Sequence, residues 1–143
     1  MSGYKIVNLD TLIETRSEDQ IKCILDDFES HMNPDIENFL RYKAIEFSKA
    51  SIAKTYIVMA SYCGAYKIAG YFALSGNKSF VVKTKGNQIS KNMKRRFSKF
   101  GTYDDSLKQY NVSALLIGQL GRNYKYPKLI SGDELLNMAI DTL

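Results

Sequence analysis

Apolar and polar positions follow two periods along the chain, and the switches between them mark out its elements. Residues 4–9 alternate loosely and predict a first strand, followed by Leu12 and Ile13 in a short apolar turn. Residues 17–29 change to helical spacing, with Ile21, Ile24, Leu25 and Phe28 on one face. Ser17 and Gln20 form a capping-box pattern, in which each side chain satisfies an orphan N–H of the first turn. Cys23 lies beside the apolar face and reads as packing filler. A second helix is predicted over residues 33–49. Asn33 is its cap, Pro34 suits the first helical position, and Asp35 and Glu37 complement the positive end of the dipole. Its apolar stripe is Ile36, Phe39, Leu40 and Phe47, with Ala44 and Ile45 adjacent.

Residues 55–63, rich in Tyr, Ile and Val, predict a strand. Gly64-Ala65 makes a tight connection to an antiparallel partner over 66–74, residues 75–78 read as a turn, and a third strand begins at 80–82. Gly86-Asn87 breaks the chain. Residues 88–100 then place Ile89, Met93, Phe97 and Phe100 on one helical face, with Lys91, Lys94, Arg95, Arg96 and Lys99 on the other. Tyr103, Asp104, Asp105 and Tyr110 fall in a loop. An apolar run over 112–117 predicts a buried strand, and a basic loop containing Pro127 leads from it to a last helix. That helix opens on a second capping box, Ser131 with Glu134, and carries Leu135, Leu136, Ala139, Ile140 and Leu143 on one face. The pattern is that of one α+β (mixed α/β) domain over residues 1–143, with no repeats or low-complexity linker.

Strand, loop and helix N-terminus in succession make an arrangement suited to anions, because first-turn N–H groups point outward and the dipole favours negative charge. Residues 112–143 have this order but neither the Walker GxxxxGK[ST] nor the Rossmann GxGxxG pattern. The residues alone leave an ordinary connection open beside an anion site.

Composition and charge sharpen the picture a little. A hydrophobic fraction of 45%, with 10 Tyr and 7 Phe, supplies a globular core in a chain of one domain's length. The apolar runs are too short to cross a bilayer, and no basic start followed by an apolar block marks a secretion signal. Cys23 and Cys63 fit no metal spacing; the expectation is reduced thiols, a cytoplasmic location and no metal. A net charge of +5 suits an anionic partner such as CoA phosphates or RNA. The basic face at Lys91, Lys94, Arg95, Arg96 and Lys99 could meet RNA phosphates, although a solvated face is the simpler reading.

Three stretches carry a family resemblance. Ile117-Gly118-Gln119-Leu120-Gly121-Arg122-Asn123, then residues 127–132, then Leu135-Leu136 resemble the acyl-CoA-binding motif of the GNAT superfamily of N-acyltransferases. The likeness is to the bacterial toxin-like branch, whose strand reads Leu-Gly-Arg-Leu-Ala-Val-Asp and whose loop reads Gln-Gly-x-Gly-x-Gly. Residues 34–40 resemble that branch's Leu-Asp-x-Phe-Leu element, and Gly70-Tyr71-Phe72-Ala73-Leu74 resembles its Gly-Tyr-Tyr-x-Leu strand at the floor of the acyl site.

The resemblance implies a mostly antiparallel central sheet flanked by helices, with acetyl-CoA as cosubstrate and an amine acceptor on aminoacyl-tRNA or protein. The strand backbone of Leu120, Gly121 and Arg122 would pair with the pantetheine arm and supply an oxyanion donor. The pyrophosphate would fall to Lys128, Leu129, Ile130, Ser131, Gly132 and Asp133, with charge added by Arg122, Lys125 and Lys128. The loop departs from the family: Gly132 is its only glycine, Pro127 stands where the family has Gln, and Asp133 would repel a pyrophosphate. The family also continues past this helix with a splayed strand, a helix carrying a tyrosine acid, and two further strands. The expectation is therefore a C-terminally truncated domain with an open sheet edge, either an N-acetyltransferase or a partner-binding module prone to homodimerisation. No catalytic residue follows from the motif; Glu37, Asp104 and His31 are candidates by residue type alone.

Overall fold

A computed structural model describes residues 3–83 and 90–143. The chain forms two compact units, Met1–Ser75 with Ile117–Leu143, and Gly76–Leu116. The elements run β1 (Tyr4–Asn8), α1 (Leu9–Thr15), α2 (Glu18–Leu25), α3 (Pro34–Asn38), a π-helical turn (Phe39–Lys43), α4 (Ala44–Lys49), β2 (Lys54–Tyr62), β3 (Ala65–Lys83), α5 (Lys91–Phe100), β4 (Gly101–Asp104), β5 (Gln109–Arg122) and α6 (Gly132–Thr142). Strand order is β1-β2-β3-β5-β4, with β1/β2, β2/β3 and β4/β5 antiparallel. The architecture is α+β, an antiparallel sheet flanked by helices.

In the larger unit both sheet faces are covered. Ile57, Ile68, Tyr71 and Ala73 pack with Leu9, Ile21, Leu25, Phe28, Phe39 and Leu40 of the helices on one side. Val58, Ala60, Ala69, Phe72 and Leu74 pack with Ile130, Leu135 and Ala139 on the other. The two sets follow strand alternation except at one point. β2 and β3 shift register between Val58/Met59, which face Gly70 and Ile68, so Ala69 is an extra residue. This bulge puts Ile68 and Tyr71 on the same face, although they are an odd number of residues apart.

The helices bear out most of the sequence pattern. Ser17 and Gln20 form the expected capping box, and the box at Ser131 and Glu134 is likewise closed on both sides. Leu12 and Ile13 lie in a full helix, α1, capped by the Asn8 side chain, rather than in a turn. Cys23 is exposed, not packing filler, because α2 ends at Leu25 and buries only a narrow stripe. Asn33 makes no side-chain cap bond. The single helix predicted over 33–49 is interrupted by the π turn. Its buried pairs, Phe39-Leu40 and Ala44-Ile45, repeat at five residues, and a wider turn keeps both on the core where an α-helix would rotate one away.

Two strand expectations also change. Cys63 (φ 51°) and Gly64 (φ 82°) form the two-residue hairpin turn, one position earlier than Gly64-Ala65. Residues 75–78 continue β3 instead of turning, so the three-strand meander is two strands, the second one long. The predicted break at Gly86-Asn87 lies outside the described residues. In the smaller unit, Tyr103 and Tyr110 face each other across the β4–β5 hairpin at 4.8 Å between ring centroids rather than sitting in a loop. Leu115 and Leu116, expected to be buried, are exposed.

The larger unit is tied together at Asn123, which is fully buried. Its Nδ2 donates to the carbonyls of Asp27 and Ile68, each at 2.9 Å. Its Oδ1 accepts from the N–H groups of Glu29 and Lys125 at 3.0 and 3.1 Å. Its own N–H donates to Ala69 at 2.8 Å. The bulge at Ala69 is what lets two successive carbonyls, Ile68 and Ala69, reach one residue. Truncating Asn123 to Ala leaves two donors and two acceptors without partners. We expect a loss of about 3–5 kcal/mol in urea unfolding, and at neutral pH a comparable loss for the isosteric Asn123→Asp, which cannot donate.

Candidate functional site

The C-terminal end of β5 is shaped by two glycines. A Cβ on Gly70 would lie 2.8 Å from the Gly121 carbonyl oxygen, so the two strands approach closely there. A Cβ on Gly121 would run into Ile36 Cγ2, so α3 sits directly over the strand. The Gly121 carbonyl points toward β3, as does the Asn123 N–H. Strand alternation then turns the amides of Leu120 and Arg122 to the opposite edge. That edge pairs with no strand among the described residues, since β4 reaches only from Gln109 to Val112.

The loop from Tyr124 to Ser131 is pinned at both ends. The Tyr124 N–H donates to Glu29, and Tyr126 OH and Lys125 Nζ both reach the Asp27 carboxylate, the latter at 2.8 Å. Ile130 is buried, and the Leu129 carbonyl accepts from Tyr4 OH at 2.9 Å. This delivers the N-terminus of α6 next to β5. Ser131 and Glu134 use their side chains to cap one another's N–H groups at 3.1 Å, while the Gly132 and Asp133 N–H groups of the first turn have no partner among the described residues.

A cleft of about 160 Å³ joins these parts. It is lined by Leu120, Gly121 and Arg122 of β5, by Gly132 and Leu135 of α6, and by Tyr124 and the α2–α3 segment at Ser30, Asn33 and Ile36. A second cleft, about 640 Å³, lies where Gln119 meets Asp35, Asn38, Phe39, Tyr42 and Lys43 along α3 and the π turn. Arg122 sits 5.5 Å over the Tyr124 ring and has no carboxylate partner among the described residues.

Of the nine residues expected to hold a cosubstrate, the structure brings Leu120, Gly121, Arg122 and Gly132 into one cleft. Lys128, Leu129, Ile130, Ser131 and Asp133 do not line it; the Ile130 side chain belongs to the core, and the Ser131 hydroxyl is committed to the cap. Lys125 is held by Asp27, whose hydrogen bond raises its pKa, so its charge is already matched. Ser30, Asn33 and Tyr124 were missed. They carry no motif; Ser30 and Asn33 reach β5 only through the fold, while Tyr124 follows the strand directly in the chain. Gly70-Tyr71-Phe72-Ala73-Leu74 lines neither cleft. Tyr71 is core: burial raises its pKa, and its hydroxyl donates to the Ile36 carbonyl at 2.6 Å.

The three candidate bases are otherwise engaged or displaced. Glu37 accepts from the Ser30 N–H and faces Arg41. Asp104 belongs to the smaller unit, where the Ser106 hydroxyl holds its pKa below the usual range. His31 is exposed, 6.1 Å from the Tyr124 ring, and lines neither cleft.

Neither a family model nor a curated protein matches the sequence. Solved structures do match in fold. A Tyr-to-Phe variant of KacT superposes with a TM-score of 0.62 at 14% identity, over 99% of this chain and 69% of its own. A Tyr-to-Phe variant of the AtaT toxin, bound to the C-terminus of the antitoxin AtaR and acetyl-CoA, gives 0.58 at 15%, over 99% and 66%. The chain has the GNAT fold. AtaT complexed with acetyl-methionyl-tRNAfMet matches at 0.58 and 15%, over 96% of this chain and 66% of that one. The chain thus spans about two thirds of these GNAT-fold proteins. Among the described residues no helix is long and apolar enough to cross a membrane, and no cluster of His, Cys, Asp or Glu could hold a metal.

Glu134 links this site to pH. Its pKa is lowered, first by the Ser131 backbone N–H and then by the Tyr4 hydroxyl. A depressed carboxylate contributes stability above its unfolded value and loses it as pH falls through the folded one. NMR titration should place Glu134 below the ordinary glutamate range. The Tyr4→Phe variant should move it back toward that range while leaving the cap in place.

Proposed function

We propose that this chain is an acetyl-CoA-dependent N-acetyltransferase, or the acyl-CoA-binding part of one. The observation that carries the reading is the shared cleft of the unpaired β5 edge and the α6 N-terminus. The edge amides of Leu120 and Arg122 are donors of the kind a pantetheine arm takes up, and either can polarise a thioester carbonyl. The free N–H of Gly132, with the Arg122 guanidinium, suits a pyrophosphate; the carboxylate of neighbouring Asp133 opposes it. At about 160 Å³ the cleft is smaller than a whole ligand site and takes the pyrophosphate with the adjoining end of the arm.

The chemistry is attack of a neutral amine on the thioester, with the oxyanion met by a β5 amide; the C–N bond forms, the C–S bond breaks with the thiolate leaving, and the amine's proton passes to water. The cleft beside Gln119 is the approach we assign to the amine. The acceptor class we favour is aminoacyl-tRNA or a protein amine. Support comes from the net charge of +5 and the AtaT complex with acetyl-methionyl-tRNAfMet. A second reading, a partner-binding module without catalysis, is favoured by the exposed Leu136 and Ile140 on α6 and Leu143 just past it. In the smaller unit, exposed Lys91, Lys94 and Arg95 on α5 suit RNA phosphates, and such contact would weaken steeply with salt.

Calorimetric titration with acetyl-CoA, with CoA as control, tests the first reading. Saturable binding in about the micromolar range is expected. Gly132→Pro is the informative variant. Proline is tolerated at the first helical position, and Ser131 already has the extended backbone that a following proline needs (φ −87°, ψ 159°). The variant removes one N–H, should keep the fold, and should weaken binding about tenfold. No heat from folded protein at high ligand concentration would remove the enzyme reading in favour of the partner-binding one.

A further inference from the structure

A groove that shares no lining residue with the β5 cleft runs along β1. It has a volume of about 560 Å³, and Ile57 and Met59 of the sheet and Leu12 and Ile24 of the helices give it apolar walls. Every residue from Lys5 to Asn8 lines it, so it opens along the strand's length and not beneath one side chain. β1 is the outermost strand, pairing only with β2, which leaves its other edge without a strand among the described residues. Unpaired strand edges capture extended peptides through main-chain bonds, with pockets for alternate side chains setting specificity.

Charge selects the occupant. Lys5 and Arg16 line the groove and are exposed; neither pairs with a carboxylate among the described residues, and no carboxylate lines the groove. A second copy of this chain would bring the same cations to the same edge, against a net charge of +5. We propose that β1 and its groove bind an acidic, extended peptide segment of a protein partner. The segment adds a strand to β1, seats apolar side chains against Ile57 and Met59, and presents carboxylates to Lys5 and Arg16.

The test uses the full chain and a short fluorescent peptide of alternating valine and glutamate. Anisotropy should show saturable binding that falls about tenfold or more in Lys5→Glu or Arg16→Glu, with circular dichroism and urea midpoint unchanged. Two forms of the peptide, N-methylated at alternate amides in the two registers, should differ, since only one register faces β1. Equal binding of a valine–lysine peptide, or indifference to both charge reversals, would overturn the proposal. Equal behaviour of the two methylated forms would do the same, as would octanoate saturating a groove that ignores the peptide. A free-chain dimer abolished by Lys5→Glu would give the edge to a second copy instead.

Discussion

The larger unit depends on one buried amide. Asn123 has no solvent to turn to, and all four of its side-chain hydrogen-bonding positions are filled by backbone from three places: the end of α2, the bulge in β3 and the loop after β5. The Ile68 carbonyl is the buried one of the four partners, and the other three are part-buried. A single side chain therefore joins the segment after α2, the bulge in β3 and the loop directly after β5. The loop's path and the arrival of α6 follow from that junction.

Close approach sets the rest of the cleft. Gly70 and Gly121 remove two side chains at the point where β3, β5 and α3 converge, and Ile36 occupies the space that a Cβ on Gly121 would need. Packing there is backbone against side chain, which leaves the strand edge uncovered and its amides directed outward. Tyr71 completes the arrangement from below. Burial keeps its phenol neutral, and the hydroxyl holds the Ile36 carbonyl, so α3 is anchored on the same core that the glycines thin out.

Much of this was legible in the residues. Both capping boxes, the apolar face of α2 and the β2–β3 hairpin follow from local periodicity and turn chemistry, while of the face expected on α6 only Leu135 and Ala139 are buried and Leu136, Ile140 and Leu143 are exposed. The strand–loop–helix order around Gly132 was legible as well. What local reading missed is what depends on partners distant in sequence. Asn123 looked like a motif position and is a structural knot. Ser75 to Lys78 has turn composition and yet continues a strand. Leu115 and Leu116 look like core and are exposed; they belong to the smaller unit. Of the binding residues that the resemblance implied, the three on β5 and Gly132 line the cleft. The other five are divided between core, cap and open surface, since a loop that keeps only its last glycine follows the packing of Leu129 and Ile130.

The π turn between α3 and α4 has a meaning in terms of length. Phe39-Leu40 and Ala44-Ile45 are spaced one residue wider than an α-helix would space them, and the backbone absorbs that residue by widening a single turn. Shortened by one position between Leu40 and Ala44, the same segment would carry both pairs on one face at ordinary helical spacing. The segment holds one residue of slack, and its core contacts are compatible with two chain lengths. A one-residue deletion at Tyr42 or Lys43 is thus a change the hydrophobic core can survive, while it resets the side chains presented to the cleft beside Gln119.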